Sequence, residues 1–168
     1  MLRTLRETAP AGLVPAAWIV TAAAEFGYLS SDGILVAHVV MAAFITFFLV
    51  TGWADLGTGA LRAWRVVLVG GLGLTLAGLA GFLVDTGETA LWLVGLVGWM
   101  VLPAGGLVYT GLELPAARLV YVGGAALSLL GAGAFVLSLA GPNGGVAALG
   151  FALVGLGQTA GILDAVRR

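Results

Sequence analysis

Two side chains stand out for chemistry: Glu25, the only acid well inside an apolar stretch, and His38, the only imidazole in the chain. An ionisable group at the centre of a bilayer costs on the order of 2.5 to 3.5 kcal/mol on insertion scales, so its presence there asks for a reason. Counted from the polar turn at Ser31, Glu25 lies six residues back and His38 seven residues forward. At about 1.5 Å per residue both fall roughly 10 Å below that turn, at one depth on adjacent antiparallel helices, where carboxylate and imidazole could pair. Such a pair is suited to relaying a proton or sensing pH. Two other readings stay open. Glu25 is close enough to the interface to snorkel while His38 packs as a hydrogen-bonded core residue, or the two contact a ligand. One His and one Glu are too few for a metal site.

A second constellation is Pro103 with Gln158 and Thr159. Pro103 falls within an apolar stretch and is followed by Gly105 and Gly106, so a kink is expected over Leu102 to Gly106, because proline removes a backbone donor and crowds the preceding turn. Exposed carbonyls at such a kink serve substrates in some transporters. Gln158 and Thr159 occupy the matching position of the last helix and need partners inside the bundle. The three define a candidate midplane polar site, with a helix kink and a local hydrogen bond as the alternative.

Absent residues exclude other chemistries. With no Cys there is no disulfide, thiolate metal site, covalently attached haem or iron-sulfur cluster. With no Lys a Schiff base to retinal or pyridoxal cannot form, and one His rules out bis-histidine haem within a chain. No cofactor is expected. No nucleophile, base and orienting acid can be assembled, so the chain is expected not to be an enzyme. The glycine pairs lie inside apolar stretches and are not phosphate loops. The few scattered basic residues do not suit nucleic acid, although Arg62, Arg65 and Arg118 would meet anionic lipid heads.

The elements that must position these residues follow from composition. Of 168 residues 61% are hydrophobic and 9% charged, with a mean hydropathy of +1.13, so the chain belongs in lipid. A crossing helix needs about 20 apolar residues. Apolar runs predict an all-α polytopic membrane protein, a single domain over 1–168 with six transmembrane helices at about 10–29, 33–53, 65–84, 89–111, 117–139 and 145–165. They pair as three hairpins at about 10–53, 65–111 and 117–165, separated by breaks such as Ser30 to Gly33, Asp85 to Glu88 and Gly141-Pro142-Asn143-Gly144. The apolar stretch after the basic start continues to Tyr28 without a cleavage pattern, which reads as a retained first helix.

Arginines set the orientation. With both termini cytoplasmic, Arg3, Arg6, Arg62, Arg65, Arg118, Arg167 and Arg168 all fall inside, and the outer turns carry Asp32, Asp85 and Glu88. Tyr28 and Trp92 then sit at outer ends and Trp53, Trp64, Tyr109 and Tyr121 at inner ends, as interfacial aromatics prefer. Trp18 and Trp99 fall mid-span and should face protein.

Residues 65–82 and 118–135 align without gaps, with Gly70/Gly123, Gly71/Gly124, Gly78/Gly131 and Phe82/Phe135 identical and Thr75 over Ser128. Gly95 over Gly150 and Gly106 over Gly161 extend the match, so the last two hairpins read as parallel repeats. Small residues recur at every fourth position, at Gly73, Ala77 and Gly81, at Gly124, Ser128 and Ala132, and at Gly157 and Gly161. Such stripes serve close packing within one chain or a homo-oligomer seam.

Through the Arg65 and Arg118 starts, the glycine pairs, Gly78 and Gly131, and the Gly141-Pro142-Asn143-Gly144 turn, helices 3 to 6 resemble the HdeD-type acid-resistance family of repeated-hairpin membrane proteins. The resemblance covers about 100 residues and implies architecture and a stress-linked role, with no catalytic residues to carry over. Helices 1 and 2 depart from that pattern. The expected function is a small non-enzymatic membrane protein, stress-associated or an oligomeric scaffold, with the bilayer as partner. Rival readings are a transporter or channel subunit using Glu25 and His38 with the kinked helix 4, and an accessory subunit of a membrane enzyme.

Overall fold

The computed structural model describes residues 2–84, 86–141 and 144–168, with side chains from residue 8 onward. The chain is all-α, with α1 (Leu2–Glu25), α2 (Ser31–Gly52), α3 (Leu61–Ala80), α4 (Glu88–Glu113), α5 (Arg118–Ser138) and α6 (Gly144–Arg167), and single 3-10 turns at Asp55–Gly57 and Pro115–Ala117. Among the described residues five helices, α2 to α6, are long and apolar enough to cross a membrane. The first, α1, carries Pro10 and Pro15 and is not one of them. The side chains of Arg3 and Arg6, Asp85, which the sequence assigns to an outer turn, and the Pro142-Asn143 pair lie outside the described residues.

Helix ends differ from the hydropathy boundaries for identifiable reasons. The first helix begins at Leu2, not near residue 10, because Leu, Arg and Glu favour helix whether or not they lie in lipid. It ends at Glu25, short of 29, in a left-handed Gly27 (φ 75°), with Gly27 N–H donating to the Ala24 carbonyl and Tyr28 N–H to the Ala23 carbonyl. That is a Schellman closure, and only glycine enters it without strain. Ser30 then caps α2, its hydroxyl accepting from Gly33 N–H at 3.2 Å. In α3 the helix starts and stops four residues before the predicted 65–84. Its first turn includes Arg62, Ala63 and Trp64, and Gly81 closes it against Trp92, although Phe82, Leu83 and Val84 continue the apolar run.

Packing follows chain order. The α5–α6 and α3–α4 pairs pack along their lengths, α4 lies on α5, and α2 on α3. The first predicted pair differs: α1 touches α2 only slightly and lies instead along α6. Trp18 explains this, since its ring meets Phe151 at 6.5 Å and its Cβ lies over Gly155. One core joins Trp18, Met100, Phe135, Phe151 and Val154, and a second joins Ala104, Leu107, Tyr121 and Ala125.

Glycines bring the backbones together. A Cβ on Gly131 would stand 2.6 Å from the Gly150 carbonyl oxygen, and one on Gly124 2.5 Å from that of Gly157. In α3 and α4 a Cβ on Gly95 would stand 3.1 Å from the Leu74 carbonyl oxygen, beside Gly78. Lipid tails are as apolar as leucine, so association depends on dispersion between closely approaching backbones. The buried face of α3 is Val67, Gly71, Thr75 and Gly78. Of the predicted Gly73, Ala77 and Gly81 stripe, Gly81 is buried against Trp92, whereas Gly73 is exposed with nothing within 4 Å of its would-be Cβ and takes no part in packing within the chain.

Alanine at Gly124 or Gly157 should overpack the α5–α6 crossing at a cost of about 1–3 kcal/mol, seen as a lower Tm in detergent. Alanine at Gly123 or Gly133, where nothing lies within 4 Å, should leave Tm unchanged or slightly higher. Equal losses at both sets would contradict the crossing.

Candidate functional site

Within the bundle the polar side chains are joined to one another. Trp18 Nε1 donates to Gln158 Oε1 at 3.0 Å, and Gln158 Nε2 donates to the Trp99 carbonyl at 3.1 Å. That carbonyl lies four residues before Pro103, which has no N–H to offer it. The Gln158 amide thus replaces the backbone donor that proline removes, and α4 continues through Pro103 from Glu88 to Glu113. The Trp99 ring extends the linkage: its Nε1 donates to Thr75 Oγ1 at 3.0 Å, and Thr75 donates to the Gly71 carbonyl at 2.9 Å. Four helices, α1, α6, α4 and α3, are connected in this way.

A second clasp mirrors the first. Trp64 of α3 donates to Thr110 Oγ1 of α4 at 3.0 Å, and Thr110 donates to the Gly106 carbonyl at 2.8 Å. Each helix of the pair thus lends a tryptophan to a threonine of the other. Ser128, aligned with Thr75, makes the same backbone bond to Gly124 at 3.0 Å. Both Thr75 and Gln158 are buried.

The predicted midplane set is partly assembled. Pro103 and Gln158 meet through the Trp99 carbonyl, whereas Thr159, half-buried, takes no part. Glu25 and His38 are not joined by a hydrogen bond or ion pair among the described residues. Glu25 ends α1 and is exposed. His38 is half-buried, and its Nδ1 donates to the Ile34 carbonyl at 2.9 Å, which puts a proton on that nitrogen because a carbonyl can only accept. Its Nε2 rests on Gly78, where a Cβ would come within 2.5 Å, and its ring meets Phe82 edge-on at 5.8 Å. Separation follows from the packing, since α1 turns toward α6 while α2 turns toward α3.

Aromatic residues divide between the two expected roles. Tyr28 is exposed, as is Trp92, and Trp18 is buried as its mid-span place predicts. Tyr121, in the first turn of α5, is 1% exposed, packed beneath Gly161, with its hydroxyl reaching Asp164. Asp164 in turn pairs with Arg168 at 2.6 Å. The sequence reads Trp64 as an interfacial aromatic at a span end and does not single out Thr110, so their bond is an addition from the structure.

Compared with models of known families, with curated proteins and with solved structures, the chain matches none.

Trp18→Phe and Gln158→Leu each remove a donor from the linkage and should lower unfolding free energy in detergent by about 0.6–1.7 kcal/mol. Glu25→Gln should stay within about 0.5 kcal/mol of the parent. A larger loss for Glu25→Gln than for Gln158→Leu would invert this ranking and contradict the assignment.

Proposed function

We propose that this chain is a non-enzymatic integral membrane protein, a six-crossing helical scaffold with both termini on the cytoplasmic face. The observation carrying the proposal is the use of interior polar groups on one another, from Trp18 through Gln158 to Trp99 and from Trp99 through Thr75 to Gly71. Such a linkage fastens helices where water is absent and leaves those groups committed to structure. The position of α1 along α6, antiparallel to it through Trp18 over Gly155 and Phe26 beside Phe151, supports counting α1 as the sixth crossing.

Orientation rests on the arginines. Arg62 and Arg65 begin α3, Arg118 begins α5, and Arg167 and Arg168 end the chain. Alternate crossings carry these positions to one side, which positive-inside retention makes cytoplasmic. The resemblance of α3 to α6 to HdeD-type proteins, which rests on the residues quoted above, supports a stress-linked role, and the repeated glycine crossings support two parallel copies of one hairpin.

The chain has no Cys, so single cysteines report topology without background. Cysteine at position 168 should resist a membrane-impermeant maleimide in intact cells and react after lysis, while cysteine at Ser30 should react in intact cells. Proteoliposomes of the parent and of Glu25→Gln and His38→Ala should show the same proton leak as empty vesicles. A pH-dependent flux lost in either variant would replace the scaffold reading with transport.

A further inference from the structure

Along the outer face of the α3–α4 pair run two adjoining grooves of about 580 and 380 Å³, which share Val66 and Leu102. The walls are apolar. Gly105 and Gly106 belong to the first groove and Gly70 to the second, and at Gly105 nothing lies within 4 Å of a would-be Cβ, so the trough is open there. The charged lining is of one sign. Arg62 and Tyr109 line the first groove, Arg65 lines the second, and among the described residues no acidic side chain lines either.

Neutral groups hold Arg65. It donates to the Trp53 carbonyl at 2.6 Å, lies over the Trp53 ring at 4.4 Å, and its Nε is buried without a hydrogen-bond partner. Its hydrogen-bond and ring partners among the described residues are all neutral. Arg62 is exposed, one helical turn nearer the start of α3. From Arg62 to Gly70 the trough rises roughly 12 Å along the helix at about 1.5 Å per residue. Cationic at one end and apolar along its length, it offers a phosphate its ligands and an acyl chain its walls.

We propose that this trough binds one anionic glycerophospholipid, its phosphate at Arg62, beside the Arg65 that Trp53 holds, and one acyl chain lying along Val66, Leu102 and Gly105. The proposal rests on the membrane-spanning reading and goes beyond it by assigning a specific lipid to a specific face. Arg65 also anchors the turn before α3, so Arg62 is the informative position.

Native mass spectrometry of the full chain in detergent, supplied with equimolar dioleoylphosphatidylglycerol and dioleoylphosphatidylcholine, tests it. The parent should retain phosphatidylglycerol about five-fold over phosphatidylcholine, the effect of about one arginine at an anionic lipid. Arg62→Gln should bring that ratio close to one, and Arg62→Lys should keep most of it. Gly105→Leu, which projects into open space, should reduce adducts of both lipids while the melting temperature stays at the parent value. Millimolar inorganic phosphate should not displace the lipid. Equal retention of both lipids by the parent, an unchanged ratio in Arg62→Gln, undiminished adducts in Gly105→Leu, or displacement by phosphate would each overturn the site. The cysteine-labelling pattern reads membrane crossing separately, so loss of the lipid preference with labelling intact sinks this proposal alone.

Discussion

In hydrocarbon a backbone carbonyl without a donor has no water to turn to, and Pro103 creates one such carbonyl at Trp99. The side-chain amide of Gln158 supplies the missing donor. Because that amide also accepts from Trp18, repair of one helix becomes attachment of two others. The Trp99 ring carries the attachment on to Thr75. A proline that would weaken an isolated helix thus becomes the point about which α1, α3, α4 and α6 are registered.

Glycine crossings and polar clasps depend on each other. Close approach at Gly124 and Gly157, and at Gly131 and Gly150, brings α5 and α6 together and sets the position of Gln158 beside α4. Between α3 and α4 the reciprocal clasps, Trp64 to Thr110 and Trp99 to Thr75, fix a sliding register that glycine contacts alone would leave loose. Each threonine also returns its proton to its own helix, at Gly106 and Gly71, so no hydroxyl in the clasps is left over. His38 fills the space left by Gly78, and the same economy of small residues seats α2 on α3.

Much of this is legible in the residues themselves. Helix count, the burial of Trp18 and the need of Gln158 for partners all follow from hydropathy and from the rule that polar groups in lipid must be satisfied. The alignment of 65–82 with 118–135 already placed Gly71, Thr75 and Gly78 over Gly124, Ser128 and Gly131, the positions that prove buried in both helices. Reading α3 alone pointed to Gly73 instead, because a four-residue spacing of small residues does not say which face it lies on. Equal depth for Glu25 and His38 did not bring them together, since depth fixes height in the bilayer and not the direction of a side chain around its helix. The Trp64–Thr110 bond was hidden because a tryptophan near a span end has two uses, and only the neighbouring helix decides between them.

The central claim, that Gln158 compensates for the donor lost at Pro103, is tested most directly by a double-mutant cycle on unfolding free energy in detergent. Pro103→Ala restores an N–H to the Trp99 carbonyl, so Gln158→Leu should cost less in that background than in the parent, with a coupling of about 0.5–2 kcal/mol. An identical cost in both backgrounds would show that the amide and the proline act independently, and would contradict the account.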